Sequence, residues 1–297
     1  MTAITSIRPA GQVELDLLPS MYERTHFHRG LGAVARFARD VLGGEVFVAT
    51  GNGGLLGASA CARFGATGWV GGVAVVPEAR GAGLGRGLTE FALAHLQELG
   101  VSTVQLFATE MGRPIYERLG FVSEGTWVTV RGPWHSLRSA RPGDPTALAP
   151  GMAPRPGRYP PRVRAAGGED LAPALAVDRA ATGEDRTALL SSLWPGNALV
   201  AEAVGEVRGY HLPSPWRSGG AIVAADLEAG LALLEASGRR LNGRDVALTL
   251  PEANVPALRA VEANGHSERS RSTRMRLGPP VPWRPRAMFS AFNLFWG

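Results

Sequence analysis

Residues 69–86, WVGGVAVVPEARGAGLGR, decide the fold of this chain. The stretch begins as a valine-rich run, which predicts a buried strand that ends at Pro77. A glycine-rich turn follows, and the sequence GLTEFALAHLQELG then has the apolar periodicity of a helix. A strand, a glycine turn and a helix in this order present several backbone N–H groups to one anion. The turn combines three spaced glycines, which let the backbone curl closely, with two arginines at its rim: Gly81, Gly83, Gly85, Arg80 and Arg86. A plain strand-to-helix turn needs neither feature, so we predict a phosphate-binding turn.

This stretch resembles motif A of the GNAT acetyltransferase superfamily. That motif is Arg/Gln-x-x-Gly-x-Gly/Ala directly after a strand that ends near a proline, and here it reads Arg80-Gly81-Ala82-Gly83-Leu84-Gly85. The resemblance implies an α/β (α+β) fold, with a mixed, mostly antiparallel central sheet flanked by helices, and acetyl-CoA as cosubstrate. It implies these residues for acetyl-CoA binding: Val73, Ala74, Val75, Arg80, Gly81, Ala82, Gly83, Leu84, Gly85, Arg86 and Thr109.

A second resemblance to the same superfamily lies in the segment ATEMGRPIYERLGFV. Family members have a short helix that ends in Tyr-x-x-x-Gly-Phe, and here this is Tyr116 followed by Gly120-Phe121. The resemblance implies that Tyr116 is the catalytic general acid, which protonates the departing thiolate of coenzyme A. The alternative is a tyrosine that only packs against the core or the pantetheine arm.

The residue that would act as general base stays open. The family often has Asn seven residues before the tyrosine, where this chain has Thr109, and an acidic residue on the preceding strand, where it has Val104. The remaining candidates are two histidines and three glutamates, or a chain of waters: His26, His28, Glu45, Glu78 and Glu110. An acceptor amine that arrives neutral needs less help from a base.

The composition changes at residues 132–161, where eight prolines predict a stiff, extended linker. We therefore predict a catalytic GNAT domain over residues 1–131, this linker, and a second domain over residues 162–278. The second domain repeats the order of elements of the first, and it resembles the second domain of two-domain bacterial GNAT proteins. The matching features are Asp178, Gly183-x-Asp185-Arg186, Gly209-Tyr210, Asn254 and Arg274-Met275-x-x-Gly278.

The second domain has no glycine turn equivalent to residues 80–86. Asp226 stands instead at the predicted start of a helix, where a carboxylate repels phosphate. We therefore predict a degenerate copy that binds no coenzyme A and that shapes the acceptor cleft or builds a homodimer. The alternative is a chain with two active sites.

Residues 279–297 form an aromatic tail. Four aromatic side chains have the spacing of one helical face, which predicts a helix docked on the core: Phe289, Phe292, Phe295 and Trp296. The alternative is an anchor on a membrane surface, because Arg284 and Arg286 lie nearby.

Length and composition narrow the remaining classes of protein. The chain has 297 residues, of which 45% are hydrophobic and 19% charged, as in a soluble protein with two globular domains. All 31 basic residues are arginine, and because they are scattered we attribute the sequence pI of about 10.2 to coding bias and expect no nucleic-acid partner. Cys61 is the one cysteine of the sequence, so we expect neither a disulfide nor a metal site. Since we recognise no signal peptide and no membrane span, we predict a cytoplasmic protein without a membrane partner.

These observations lead to one predicted activity and two alternatives. The predicted activity is the transfer of an acetyl group from acetyl-CoA to a primary amine of a small molecule by direct attack. The backbone of Val73 to Val76 would then stabilise the oxyanion that forms. The alternatives are an enzyme that uses a different acyl-CoA, and a module that senses a coenzyme A ligand without turnover.

Overall fold

The computed structural model describes residues 4–25, 27–51, 54–134, 161–216, 219–241 and 243–297. The first half contains the predicted strand, glycine turn and helix over residues 67–98 and the predicted short helix that carries Tyr116. Its elements are β1 (Ile4–Pro9), α1 (Gln12–Arg24), α2 (Leu31–Val41), β2 (Val46–Gly51), β3 (Gly54–Phe64), β4 (Thr67–Val75), α3 (Leu84–Glu98), β5 (Thr103–Ala108), α4 (Arg113–Arg118) and β6 (Val122–Pro133). One face of α3, which includes Leu88 and Leu96, is buried, whereas Phe91 on the same helix is exposed. The Ser59 hydroxyl of β3 donates to the Leu88 carbonyl at 2.9 Å.

The second half repeats this order, as predicted, and adds one short strand. Its elements are β7 (Arg162–Ala165), α5 (Leu171–Thr182), α6 (Thr187–Leu193), β8 (Leu199–Ala203), β9 (Glu206–Leu212), β10 (Ala221–Ala224), α7 (Leu227–Leu241), β11 (Asp245–Pro251), α8 (Val255–Ala263), β12 (Ser267–Leu277) and β13 (Met288–Ser290). In the described part of the chain no helix is both long and apolar enough to cross a membrane.

The two halves exchange their last strands. One sheet has the order β1-β2-β3-β4-β5-β12-β6-β11, and the other has the order β13-β10-β9-β8-β7. Strand β12 of the second half therefore lies between β5 and β6 of the first, and β6 lies between β12 and β11. All of these pairs are antiparallel except β4 with β5, which confirms the predicted mixed, mostly antiparallel sheet.

Because of this exchange, the two predicted domains are not structurally separate. Residues 1–131 and 162–278 each carry a complete set of elements, but they share the eight-stranded sheet. Strand β6 continues to Pro133, and the buried Trp134 donates its backbone N–H to the Arg244 carbonyl at 2.9 Å, so the start of the predicted linker belongs to the folded core. Residues 135–160 of that linker lie outside the described residues.

Buried charges join the halves at the point where β4 and β5 part. The parallel pairing of these strands ends with Trp69 opposite Gln105. The carboxylate of Glu184, from the second half, accepts hydrogen bonds from Trp69 Nε1 (2.7 Å), Gln105 Nε2 (2.6 Å) and Thr67 Oγ1 (3.1 Å). Burial raises the pKa of this carboxyl, and the guanidinium groups of Arg186 and Arg274 oppose that rise.

Several second-half residues singled out by the resemblance belong to this buried junction. The Arg186 guanidinium lies 3.7 Å from the Asp178 carboxylate and donates to the Gly297 carbonyl at 3.0 Å. The Tyr210 hydroxyl donates to the same Asp178 carboxylate. These side chains fix the orientation of the halves and of the chain end, because a buried charge without its partner is costly.

The tail is not the predicted helix. Residues 285–287 form a single 3₁₀ turn, β13 follows, and the four aromatic side chains are buried in the protein, as expected for docking on the core. Strand β13 pairs with β10, and the Ala291 N–H donates to the Thr249 carbonyl of β11 at 2.7 Å. The tail therefore fills the gap between β10 and β11, and these backbone bonds hold it extended.

Candidate active site

A cleft of about 900 Å³ opens where β4 and β5 separate. We call it the first cleft. Its walls are β4, the glycine turn, α4 with the residues before it, the loop between α1 and α2, and the tail at Leu294 and Phe295. A single Ser272 of the exchanged strand β12 also contributes. The cleft thus lies in the first half but depends on the second for part of its wall.

The glycine turn forms one end of the first cleft. Gly81 and Gly83 have φ angles of +79° and +78°, which L side chains rarely adopt, and a Cβ at either position would meet no atom within 4 Å. Gly83 is the N-cap of α3, whose first turn contains no acidic residue. No backbone hydrogen bond of the described residues uses the N–H groups of residues 81–86. The turn therefore offers free donors and a helix N-terminus to an anion.

Two arginines flank this turn. The Arg80 Nε donates to the Val75 carbonyl at 3.1 Å, which fixes the side chain over the end of β4. The Arg86 Nε donates to Glu90 at 2.8 Å, one turn further along α3. Both side chains line the first cleft and are exposed. They add positive charge beside the free N–H groups, which suits a pyrophosphate.

A bulge in β4 marks the middle of the cleft, and sequence reasoning missed it. Ala58 pairs with Ala74 and Ala60 with Gly71, so β4 carries one residue more than β3 between these pairs. Gly72 has a φ of +61°, and its carbonyl accepts from the buried Tyr22 hydroxyl at 3.0 Å. A bulge leaves backbone groups unpaired beside a site. The doublet Gly71-Gly72 inside a valine-rich strand was the signal that could have indicated it.

The structure brings nearly all of the predicted binding residues to this cleft. The residues that line it are Val73, Ala74, Val75, Arg80, Gly81, Gly83, Leu84, Gly85, Arg86 and Thr109. Ala82 is exposed on the same turn but does not line the cleft. The Thr109 hydroxyl oxygen accepts from the Gly112 N–H at 3.2 Å, and so it helps to begin α4.

Tyr116, the predicted acid, lies on α4 in the wall of the first cleft. Its side chain is 9% exposed and its ring meets Phe121 edge-on, with the ring centroids 5.9 Å apart. Its hydroxyl makes no hydrogen bond to any other residue that the structure describes. Burial raises the pKa of the phenol to about 12, so the group keeps its proton at neutral pH. A protonated hydroxyl is therefore available to a ligand.

The candidate bases separate by position. Of the described candidates only His28 lines the cleft, whereas Glu45, Glu78 and Glu110 do not. The His28 Nδ1 accepts from the Gly30 N–H at 2.9 Å, so the neutral ring carries its proton on Nε2. The ring in this position has no free lone pair for a substrate proton. His26 lies outside the described residues.

Two acetyltransferase models match the chain. The sequence model of a family described as "Acetyltransferase (GNAT) domain" matches residues 43–123. Another model with the same description matches residues 174–290. The chain belongs to the GNAT acetyltransferase family. As in that family, acetyl-CoA is the expected cosubstrate, and the free N–H groups of the glycine turn fit its phosphates.

Individual relatives resemble the chain over different lengths. Mycothiol acetyltransferase of Thermomonospora curvata is 42% identical over 64 residues, which cover 20% of this chain and 22% of that protein. A structure from Pyrococcus horikoshii, described as a candidate acetyltransferase, has a TM-score of 0.76 at 19% identity and covers 98% of this chain and 95% of that one. A GCN5-related N-acetyltransferase from Sphaerobacter thermophilus has a TM-score of 0.60 at 17% identity, with 94% and 98% covered. These structures confirm the two-domain GNAT fold.

Proposed function

We propose that this GNAT enzyme transfers the acetyl group of acetyl-CoA to the primary amine of a small molecule, in the first cleft and by direct attack. One observation carries the proposal. The same open cleft has free backbone N–H groups and arginines at one end and the unpaired hydroxyl of Tyr116 in its wall. The first group of features suits a pyrophosphate, and the second suits a leaving thiolate.

The chemistry balances with the residues at hand. The carbon–sulfur bond of the thioester breaks and a carbon–nitrogen bond to the acceptor forms. Sulfur gains the proton of the Tyr116 hydroxyl, and the tyrosine regains a proton from the nitrogen, which loses one on becoming an amide. Because no described residue of the cleft is placed as a base, the acceptor must attack as a neutral amine.

The second half contributes wall and support rather than a second catalytic site in this proposal. Its α7 begins beside Asp226, whose carboxylate accepts from the Ala229 N–H at 2.9 Å, as expected for an N-cap. The Arg208 guanidinium donates to the other oxygen of that carboxylate at 3.0 Å. This carboxylate thus occupies one backbone donor at the start of α7, and its charge repels phosphate there.

The release of free thiol from acetyl-CoA in the presence of a panel of primary amines tests the activity. We expect thiol release that depends on an amine and yields equal amounts of N-acetylated product by mass spectrometry. Binding of acetyl-CoA without amine-dependent release would favour the sensing module. Retention of a longer acyl-CoA through purification, together with faster turnover of that thioester, would favour the other acyl donor.

A further inference from the structure

The acceptor end of the first cleft is the end that lies away from the glycine turn. Three parts of the chain meet there: the loop between α1 and α2, the β4 bulge and the tail. This end is lined by Phe27, His28, Leu31, Leu294 and Phe295. A ligand whose phosphates occupy the glycine turn and whose arm follows β4 would point its acyl group toward this end.

The tail is held firmly at the acceptor end. The Asn293 side-chain oxygen accepts from the backbone N–H groups of Phe295 and Trp296, at 2.7 and 3.1 Å. The Phe295 ring packs on the bulge so closely that a Cβ at Gly71 would lie 2.5 Å from it. The chain end is fixed by the buried Arg186. Leu294 and Phe295 are therefore a built part of the wall.

No described residue that lines the first cleft is Asp or Glu. Glu78, just before the glycine turn, pairs with Arg24, and Glu110 is exposed between Thr109 and Met111 but does not line the cleft. A substrate with a second positive charge would lose its hydration at the acceptor end without meeting a counter-ion. That loss is unfavourable, because a buried charge needs a partner.

Apolar side chains are exposed around the same opening. Phe27 is 39% exposed, Leu294 38% and Met111 75%, although all three are large and hydrophobic. Leu31 and Phe295 continue this surface inward. Exposed apolar groups gathered at a cleft mark a surface on which the binding of an apolar ligand is favourable.

From these observations we infer that the acceptor is a primary amine on a hydrophobic group, with no second positive charge. Phe27, Leu31, Leu294 and Phe295 select it. The inference rests on the proposed acetyl transfer and names its substrate class. Desolvation at this apolar end lowers the pKa of a bound amine, which favours the neutral nucleophile where no base is placed. The substrate selection and the missing base thus have one physical explanation.

Three conjugates test the inference on the full-length enzyme. Each joins the coenzyme A sulfur through –CH₂–C(O)–NH– to a methyl, an n-hexyl or a 6-aminohexyl group, and calorimetry measures its affinity. The last two differ in length by one terminal ammonium group. We expect the hexyl conjugate to bind about tenfold or more tightly than the methyl one, because its chain buries apolar area. The 6-aminohexyl conjugate should bind no more than about threefold more tightly than the methyl one.

The outcomes distinguish a failure of this inference from a failure of the proposed function. Three equal affinities, or tightest binding of the 6-aminohexyl conjugate, would overturn the inference and leave the coenzyme A site intact. Failure of all three to bind would overturn the proposed function, and the inference with it. Leu294→Asp should shift the ratio of hexyl to 6-aminohexyl affinity by about tenfold toward the ammonium. Val13→Asp, which adds the same charge at a 70% exposed position on α1, should leave that ratio unchanged.

Discussion

The two halves of the enzyme have the same order of elements, but the cleft of the first half is open and the equivalent cleft of the second half is filled. In the first half β4 and β5 separate and leave a cleft of about 900 Å³. In the second half the gap between β10 and β11 is filled by the tail, which pairs with β10 and donates to Thr249 of β11. The Asn254 side-chain amide, at the start of α8, donates to the Met288 carbonyl of the same tail at 2.9 Å.

The difference extends to the helices that begin at each cleft. Gly83 at the start of α3 leaves N–H groups free beside two arginines, whereas at the start of α7 the Asp226 carboxylate accepts from the Ala229 N–H. The gap between the splayed strands is therefore open in the first half, where a ligand can enter, and occupied by the protein's own chain in the second half. In the second half the tail lies between the strands, and its last residues continue into the wall of the first cleft.

The largest expected effect follows from the strand exchange. Both neighbours of β6, namely β12 and β11, come from the second half. We therefore expect residues 1–134 alone to show no cooperative unfolding transition and no binding of acetyl-CoA. Three sheet pairings are lost, namely β5 with β12, β12 with β6 and β6 with β11, and the free energy of unfolding of a whole domain is only about 5–15 kcal/mol. Differential scanning calorimetry measures the transition.

The matched control for that fragment is the enzyme cut within residues 135–160, with both pieces present. This cut leaves every described strand in place, so one cooperative transition and acetyl-CoA binding should persist. A fragment 1–134 that unfolds cooperatively and binds acetyl-CoA would show that the first cleft does not need the second half.

The next effect concerns catalysis in the open cleft. Tyr116→Phe removes only the hydroxyl, and loss of a positioned acid lowers a rate by about a hundred- to ten-thousand-fold. The hydroxyl has no partner among the described residues, so acetyl-CoA affinity and melting temperature should stay unchanged. Since the pKa of the phenol is about 12, the parent kcat should show no fall from phenol ionisation below about pH 11. A variant whose chemical step keeps a rate within about threefold of the parent would leave Tyr116 a packing residue.

A third prediction tests the filled gap. Phe289 is fully buried, and a Cβ at Gly230 of α7 would lie 2.0 Å from its ring. Phe289→Ala should lower the free energy of unfolding by about 3–5 kcal/mol in chemical denaturation. Phe91→Ala, at a 42% exposed position, is the matched control and should cost far less. A loss below about 1 kcal/mol for Phe289→Ala would mean that the tail does not stabilise the second half.

The sequence predicts the local order of elements well because hydrophobic periodicity and glycine spacing are encoded over a few residues. The binding turn follows from Gly81 and Gly83, whose positive φ angles explain why glycines stand there. The strand exchange could not be predicted, because β6 and β12 pair across more than a hundred residues and no local pattern specifies the partner. The apolar residues at the acceptor end could not be predicted for the same reason, because only the tertiary structure brings Leu294 to the first cleft.

The helical interpretation of the tail was wrong for an instructive reason. The spacing of Phe289, Phe292 and Phe295 matches a helix, but these rings are buried against different elements. Phe289 packs on α7 and Phe295 on the β4 bulge. Backbone pairing with β10 then holds β13 extended. Aromatic periodicity in a short segment therefore reports burial, and the surrounding sheet decides the conformation.

The contrast between an open and a filled cleft is tested most directly by calorimetric titration of the full-length enzyme with acetyl-CoA. Gly83→Val and Gly100→Val form a matched pair at the two ends of α3. Their φ angles are +78° and +77°, and a Cβ meets no atom within 4 Å at either position. We expect one acetyl-CoA site per chain and an unchanged affinity for Gly100→Val. For Gly83→Val we expect the affinity to fall by about tenfold or more. Two sites per chain, or unchanged affinity in a folded Gly83→Val enzyme, would contradict the account.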